Sequence, residues 1–134
     1  MDQKFLQDGM SAMSAGATTL TGWCLGILGA TVAGIVAGNF LRPTGIGRWV
    51  YLLFIPGWVC LGVSIWYGDS VTRRLAAAGF TGNQETLQEI ATSMNSDYAN
   101  QREWFQLALL IFGIWLAFFL VWWVFGKVET RSTS

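Results

Sequence analysis

Residues 104–125 read WFQLALLIFGIWLAFFLVWWVF, and none of these 22 side chains is charged. At about 1.5 Å per residue, an α-helix of this length spans roughly 30 Å, the thickness of a bilayer's hydrocarbon core. Two further uncharged runs precede it, between Asp8 and Arg42 and between Arg48 and Asp69. Apolar runs of this length are typical of membrane-spanning helices. We therefore predict three transmembrane helices, at about 15–38, 49–67 and 104–125.

Composition supports an integral membrane protein of the all-α class. The chain has 134 residues and is 53% hydrophobic and 12% charged, whereas soluble domains carry about 25% charged residues. Tryptophan and tyrosine, which prefer the membrane interface, stand at the ends of the second and third runs. They are Trp49, Tyr51, Trp66, Tyr67, Trp104, Trp122 and Trp123. We predict one membrane domain that covers residues 1–134.

The polar segment 68–103 is predicted to be helical and to lie outside the membrane. Asp69 or Ser70 can cap a short amphipathic helix that ends at Ala78, before Gly79. Thr81 and Gln84 then have the spacing of a capping box. No glycine or proline follows before the third span. We therefore expect the third helix to run from about Asn83 to Phe125 and to extend about 30 Å into water.

The other connections predict local geometry and orientation. The loop 39–47 contains Pro43 and two glycines, so helices one and two are expected to be antiparallel neighbours. Pro56 lies inside the second span, where it predicts a kink. Lys and Arg are divided four against four between the two sides. Because one set is denser and faces a single acid, we expect a cytoplasmic C-terminus.

Four of the five glycines in residues 22–38 belong to a stripe of small residues on the first helix. The stripe repeats every fourth residue and predicts close helix packing of the small-xxx-small kind. Such packing can occur within the chain or against a second copy or another subunit, and the sequence leaves both open. The stripe contains Ser14, Thr18, Gly22, Gly26, Ala30, Gly34 and Gly38.

The extension of the third helix carries an apolar face formed by Leu87, Ile90, Ala91, Met94 and Tyr98. An isolated helix in water has no reason to keep such a face. Two interpretations remain open at this stage. The face binds another chain through Leu87, Ile90, Met94 and Tyr98, or it folds back onto the 70–78 helix, covered by Val71 and Leu75.

Charged and polar residues indicate membrane contact and no catalytic chemistry. Arginines beside the predicted spans are expected to contact lipid headgroups: Arg42, Arg48, Arg73 and Arg74. The sequence has no histidine, the commonest general base and metal ligand. We predict no catalytic site, metal or cofactor, and no nucleic-acid partner. The two cysteines, Cys24 and Cys60, lie within predicted spans, where a thiol behaves as a small apolar group.

Two functions follow from these patterns. The first is a non-enzymatic, oligomerising subunit or scaffold of a membrane complex that docks through the stripe of the first helix. The alternative is a homo-oligomeric channel or pore lined by the first helix, with Thr18, Thr31 and Asn39 supplying polarity. The expected partners are the lipid bilayer and either further copies of the chain or other membrane subunits.

Overall fold

The computed structural model describes residues 3–36 and 45–125. Within them lie helix α1 (Gln3–Val36), a 3-10 helix (Gly45–Leu53), α2 (Phe54–Ala78) and α3 (Gln84–Phe125). No strand occurs among these residues. Three helices are long and apolar enough to cross a membrane, which confirms the all-α class and the number of candidate spans. The predictions that concern Gly38, Asn39, Arg42 and most of the 39–47 loop lie outside the described residues.

Helix α2 is longer than the predicted second span. It runs without a break from Phe54 to Ala78. The prediction of a separate short helix capped by Asp69 or Ser70 is therefore wrong. Gly68 does not interrupt it, because this glycine is buried at a close contact between helices. The predicted end is confirmed: the Gly79 N–H donates to the carbonyls of Leu75 and Ala76 at 3.3 and 3.2 Å.

Pro56 lies close to the point where the 3-10 helix passes into α2. It is the third residue of α2, and the 3-10 helix ends at Leu53. Helical backbone is continuous from residue 49, where the sequence placed the start of the second span, and the candidate span Trp49–Ala78 begins there. Because proline has no N–H, it donates no hydrogen bond to the carbonyls of the turn before it, next to the point where the helix type changes. The kink at Pro56 stays a prediction.

Helix α3 is a single helix of 42 residues, Gln84–Phe125, and confirms the predicted long helix. Asn83 caps its start, since its Oδ1 accepts a hydrogen bond from the Glu85 N–H at 3.1 Å. The Thr81–Gln84 capping box stays a prediction. The Thr81 hydroxyl donates to the Ala77 carbonyl at 3.2 Å and so belongs to the end of α2.

Two apolar cores lie along the bundle. The first core joins the beginning of α1, the end of α2 and the beginning of α3 through Met10, Ala17, Val71, Ala78, Leu87 and Met94. The second core lies within the uncharged runs and contains Cys24, Cys60, Leu61, Phe105 and Ala108. The first core shows that the early part of α1 and the segment 68–103 share one end of the bundle, as the sequence predicted.

Candidate functional site

Helix α1 packs on its neighbours through residues that repeat every seventh position. Met10, Ala17 and Cys24 are its most buried side chains, at 2%, 0% and 0% exposure. A step of seven residues returns to almost the same side of an α-helix, whereas a step of four advances by about 40°. The predicted stripe therefore turns away from the packed side, and Gly26 lies about 180° around the helix from Ala17.

The structure places most of the predicted stripe on the outside of the bundle. Thr18, Gly22, Gly26 and Ala30 are exposed, while Ser14 and Gly34 are half-buried. A methyl group added at Gly22, Gly26 or Gly29 would meet no described atom within 4 Å outside its own helix turn. These glycines therefore make no close helix contact within the described part of the chain.

A continuous surface of small side chains surrounds these glycines. Ten of the residues between Ser11 and Ala33 lie within one sector of about 120° around the helix. All ten are Gly, Ala, Ser or Thr, and all ten are exposed. We call this surface the small-residue face. Its members are Ser11, Ala12, Ala15, Thr18, Thr19, Gly22, Gly26, Gly29, Ala30 and Ala33.

The exposed side of α3 differs in kind. In its uncharged part it presents large apolar side chains, including Leu109, Leu110, Ile114, Leu116 and Phe118. Such side chains suit contact with lipid tails. The bare surface of α1 thus contrasts with the bulky surface of α3 within one bundle.

Three other glycines make the close contacts inside the chain. A Cβ atom at Gly16 would lie 2.7 Å from the Tyr98 hydroxyl, and one at Gly57 would lie 2.7 Å from Cζ of the Phe112 ring. At Gly68 it would lie 2.5 Å from both Gln101 Nε2 and Thr21 Oγ1. Sequence reasoning missed all three, because they lie on two helices and follow no common period.

Gly68 belongs to a buried polar cluster that joins the three helices. Gln101 of α3 is fully buried, and its Nε2 donates to the Ala17 carbonyl at 3.0 Å and to Thr21 Oγ1 at 3.2 Å. The Ala17 carbonyl can only accept, which fixes the amide orientation. Gln101 Oε1 is buried and has no hydrogen-bond partner among the described residues. The amide is therefore held through its nitrogen alone.

Ser64 of α2 completes this polar cluster. It is fully buried, and its hydroxyl donates to the Gln101 backbone carbonyl at 3.0 Å. The Cys24 thiol of α1 donates to Ser64 Oγ at 3.5 Å. Cys24 and Cys60 are both free thiols. No pattern in the sequence identified this cluster, since its members are single polar residues within apolar or mixed stretches.

An aromatic cluster lies near the other end of the bundle, around the start of α2. The Phe54 ring, 2% exposed, stands edge-on to Trp115 at 4.7 Å and to Phe112 at 5.6 Å between ring centroids. Trp58 meets Phe54 in the same way at 5.9 Å. Edge-to-face pairs of this kind add to the contribution of buried area. The cluster fixes the start of α2 against α3.

The predicted partner-binding face of α3 is covered by the chain itself. Leu87 and Met94 are buried at 1% and 0% exposure, and Ile90 and Tyr98 are packed against the same core. Their cover includes Val71, Leu75 and the early part of α1. The structure thus adopts the fold-back arrangement, in which Leu87 and Met94 are inaccessible and Ile90 and Tyr98 are half-buried.

The predicted lipid-contacting arginines have different surroundings. Arg74 Nε lies 2.7 Å from Asp97 Oδ2, which also accepts a hydrogen bond from Ser70. Arg73 pairs with Asp69 at 2.8 Å, and both side chains are about 60% exposed. Arg42 lies outside the described residues, as does the side-chain environment of Arg48. Arg73 and Arg74 are both exposed, and the Arg74 side chain, at 43%, is less exposed than that of Arg73.

The described residues offer no group of three or more His, Cys, Asp or Glu side chains that could hold a metal ion. No protein-family model, curated protein or solved structure matches this chain. The candidate site is consequently defined by its geometry, and it is the small-residue face of α1.

Proposed function

We propose that this protein is a non-enzymatic, multi-pass membrane protein that acts as an oligomerising subunit or scaffold of a membrane complex. The small-residue face of α1 is its contact surface. The observation that carries the proposal is the open space around Gly22, Gly26 and Gly29, which no described part of the chain fills.

The physics of helix association in lipid supports this use of the face. Lipid tails are as apolar as leucine, so transmembrane helices associate through close van der Waals packing and not through the hydrophobic effect. Glycine and alanine permit that approach because they keep the backbone bare. A position that only faces lipid gains nothing from glycine, which costs about 1 kcal/mol against alanine in a helix interior in water.

Charge complementarity favours a second copy of this chain as the partner. Lys4 and Asp8 continue the line of the small-residue face towards the start of α1, and both are exposed. Neither forms an ion pair with a described residue. A two-fold axis along the membrane normal would set two α1 helices parallel, with Lys4 of each copy beside Asp8 of the other.

The channel alternative would line a pore with this same surface. Of its predicted polar groups, Thr18 lies on this surface, where its hydroxyl donates to the Ser14 carbonyl at 2.9 Å. The Thr31 hydroxyl accepts a hydrogen bond from Trp58 Nε1 at 2.9 Å and donates to the Leu28 carbonyl, so it faces α2. Asn39 lies outside the described residues. The subunit proposal requires no polar lining and is preferred for that reason.

The proposal is tested with two matched glycine variants, compared by cross-linking in membranes. Gly26→Leu places a large side chain on the small-residue face, and Gly113→Leu makes the same change on the exposed side of α3. Neither substitution meets a described atom within 4 Å at Cβ, so both chains should fold. We expect Gly26→Leu to lose the cross-linked assembly and Gly113→Leu to keep it. Equal cross-linking in both variants would refute the proposal.

A further inference from the structure

The buried polar cluster fixes the relative heights of the three helices. Gln101 Nε2 reaches Thr21 Oγ1 at 3.2 Å, and Gly68 packs directly against both side chains. Thr21, Gly68 and Gln101 therefore lie at one level of the bundle, one on each helix. This level serves as a reference from which other residues can be placed along the bundle axis.

One tryptophan on each helix lies just to the apolar side of that level. Trp23 is two residues beyond Thr21, and Trp66 is two residues from Gly68 in the antiparallel helix, which is about 3 Å in each case. Trp104 is three residues beyond Gln101, about 4.5 Å. Trp23 and Trp66 are 63% and 68% exposed, and Trp104 is half-buried. The three indole rings thus form a belt around the bundle at a common height.

Residue chemistry changes abruptly at this belt. On one side, no charged residue occurs in the described parts of the three helices. On the other side, charges begin at Asp69 on α2 and at Glu103 on α3. The Arg73 guanidinium extends back to lie 5.7 Å from the centre of the Trp66 ring. Tryptophan rings with a cation beside them are characteristic of the headgroup layer of a bilayer.

On α1 the charges give no such boundary, since the nearest one before Trp23 is Asp8. The intervening residues carry hydroxyls on Ser11, Ser14, Thr18, Thr19 and Thr21. The sequence alone therefore placed the first span from residue 15. Alignment with α2 and α3 moves the start of that span to the level of Trp23.

We infer that Trp23, Trp66 and Trp104 bind the lipid headgroup layer, and that Gln3–Thr21 lies outside the hydrocarbon. This inference rests on the membrane insertion assumed in the proposed function, but not on oligomerisation. The part of α1 before Trp23 then joins residues 68–103 in a three-helix domain outside the bilayer, built around Met10, Val71 and Met94. Only the portion of the small-residue face from Gly22 onward lies within the bilayer.

The test uses nitroxide spin labels at four positions on one side of α1. Ser11, Thr18, Leu25 and Val32 are all exposed and follow one another at steps of seven residues. Each is replaced by cysteine in the full chain, labelled, and reconstituted into phosphatidylcholine vesicles. Native Cys24 and Cys60 are buried, so the unsubstituted chain measures background labelling. Collision rates are then measured with oxygen, which concentrates in the bilayer, and with a water-soluble nickel chelate.

We expect nickel collisions to dominate at positions 11 and 18 and oxygen collisions to dominate at 25 and 32. Domination by oxygen at position 18 would overturn the inference and restore a span that starts near residue 15. Domination by nickel at all four positions would overturn both the inference and membrane insertion. Contact with another chain lowers both collision rates at a position. It does not change where along α1 oxygen collisions begin to exceed nickel collisions, so oligomerisation is judged separately.

Discussion

Replacement of Gly68 by alanine tests the packing of the three helices. The added methyl group would lie 2.5 Å from Gln101 Nε2 and 2.5 Å from Thr21 Oγ1. The glutamine cannot swing away freely, because it is fully buried and donates two hydrogen bonds, to Ala17 and Thr21. Accommodation of the methyl group therefore requires that these hydrogen bonds be broken or lengthened.

The expected cost follows from those two bonds. A hydrogen bond within a protein contributes about 0.5–1.5 kcal/mol net to stability. We therefore expect Gly68→Ala to lower the free energy of unfolding by about 1–3 kcal/mol. The matched control is Gly62→Ala on the same helix, where the new Cβ atom meets no described atom within 4 Å. That variant should be neutral or slightly stabilising, since alanine is the better helix former.

Unfolding is followed by circular dichroism in mixed micelles as the denaturing detergent is increased. The double variant Gly68→Ala, Gln101→Ala supplies the decisive comparison. Once the glutamine is truncated, the methyl group no longer displaces its amide. The double variant should therefore lose less stability than the two single variants lose when their losses are added. Fully additive losses, or a Gly68→Ala chain as stable as Gly62→Ala, would refute the role of this close contact.

Four further substitutions test other contacts by the same unfolding measurement. Met94→Ala should lower the free energy of unfolding by about 2–5 kcal/mol, because it leaves a cavity in a fully buried site. The size of the assembly, measured by light scattering, should not change. A smaller assembly with unchanged stability would show that Met94 contacts a partner instead. Asp97→Ala should lower the free energy of unfolding by about 1 kcal/mol, whereas Asp69→Ala, which removes an exposed ion pair, should lower it by less than about 0.5 kcal/mol. Equal losses in the two variants would contradict the expectation that the more buried ion pair contributes more. Thr31→Val should lower the free energy of unfolding by about 1 kcal/mol, because it removes the acceptor of the Trp58 indole N–H. An unchanged stability would show that the Thr31 hydroxyl does not accept this hydrogen bond.

The sequence predicted the long elements because they depend on strong, additive signals. Uncharged runs of membrane length and their flanking aromatic residues indicated three helices, and the start of α3 was correct to within one residue. The junctions were predicted less well. The short helix after Asp69 was misinterpreted because local residue preferences do not reveal that helix α2 continues beyond its apolar run.

The packing within the bundle was beyond the sequence because it depends on pairs of residues far apart in the chain. Gly68 matters only because Gln101 lies opposite it, and no period links the two. The small-residue stripe was visible, but residue size alone does not tell whether a bare backbone meets its own chain or another. For the apolar face of α3 the sequence allowed two packing partners, another chain or the 70–78 segment. It did not predict that α1 would also pack on this face through Met10.

The most direct test of the account is the mass of the particle that the protein forms in a membrane. The wild-type chain, of 14.8 kDa, is extracted with its surrounding lipid into nanodiscs and analysed by native mass spectrometry. We expect a particle that contains two or more copies of the chain, or the chain together with another subunit, and we expect Gly26→Leu to reduce it to a single chain. A wild-type particle of one chain alone would contradict it.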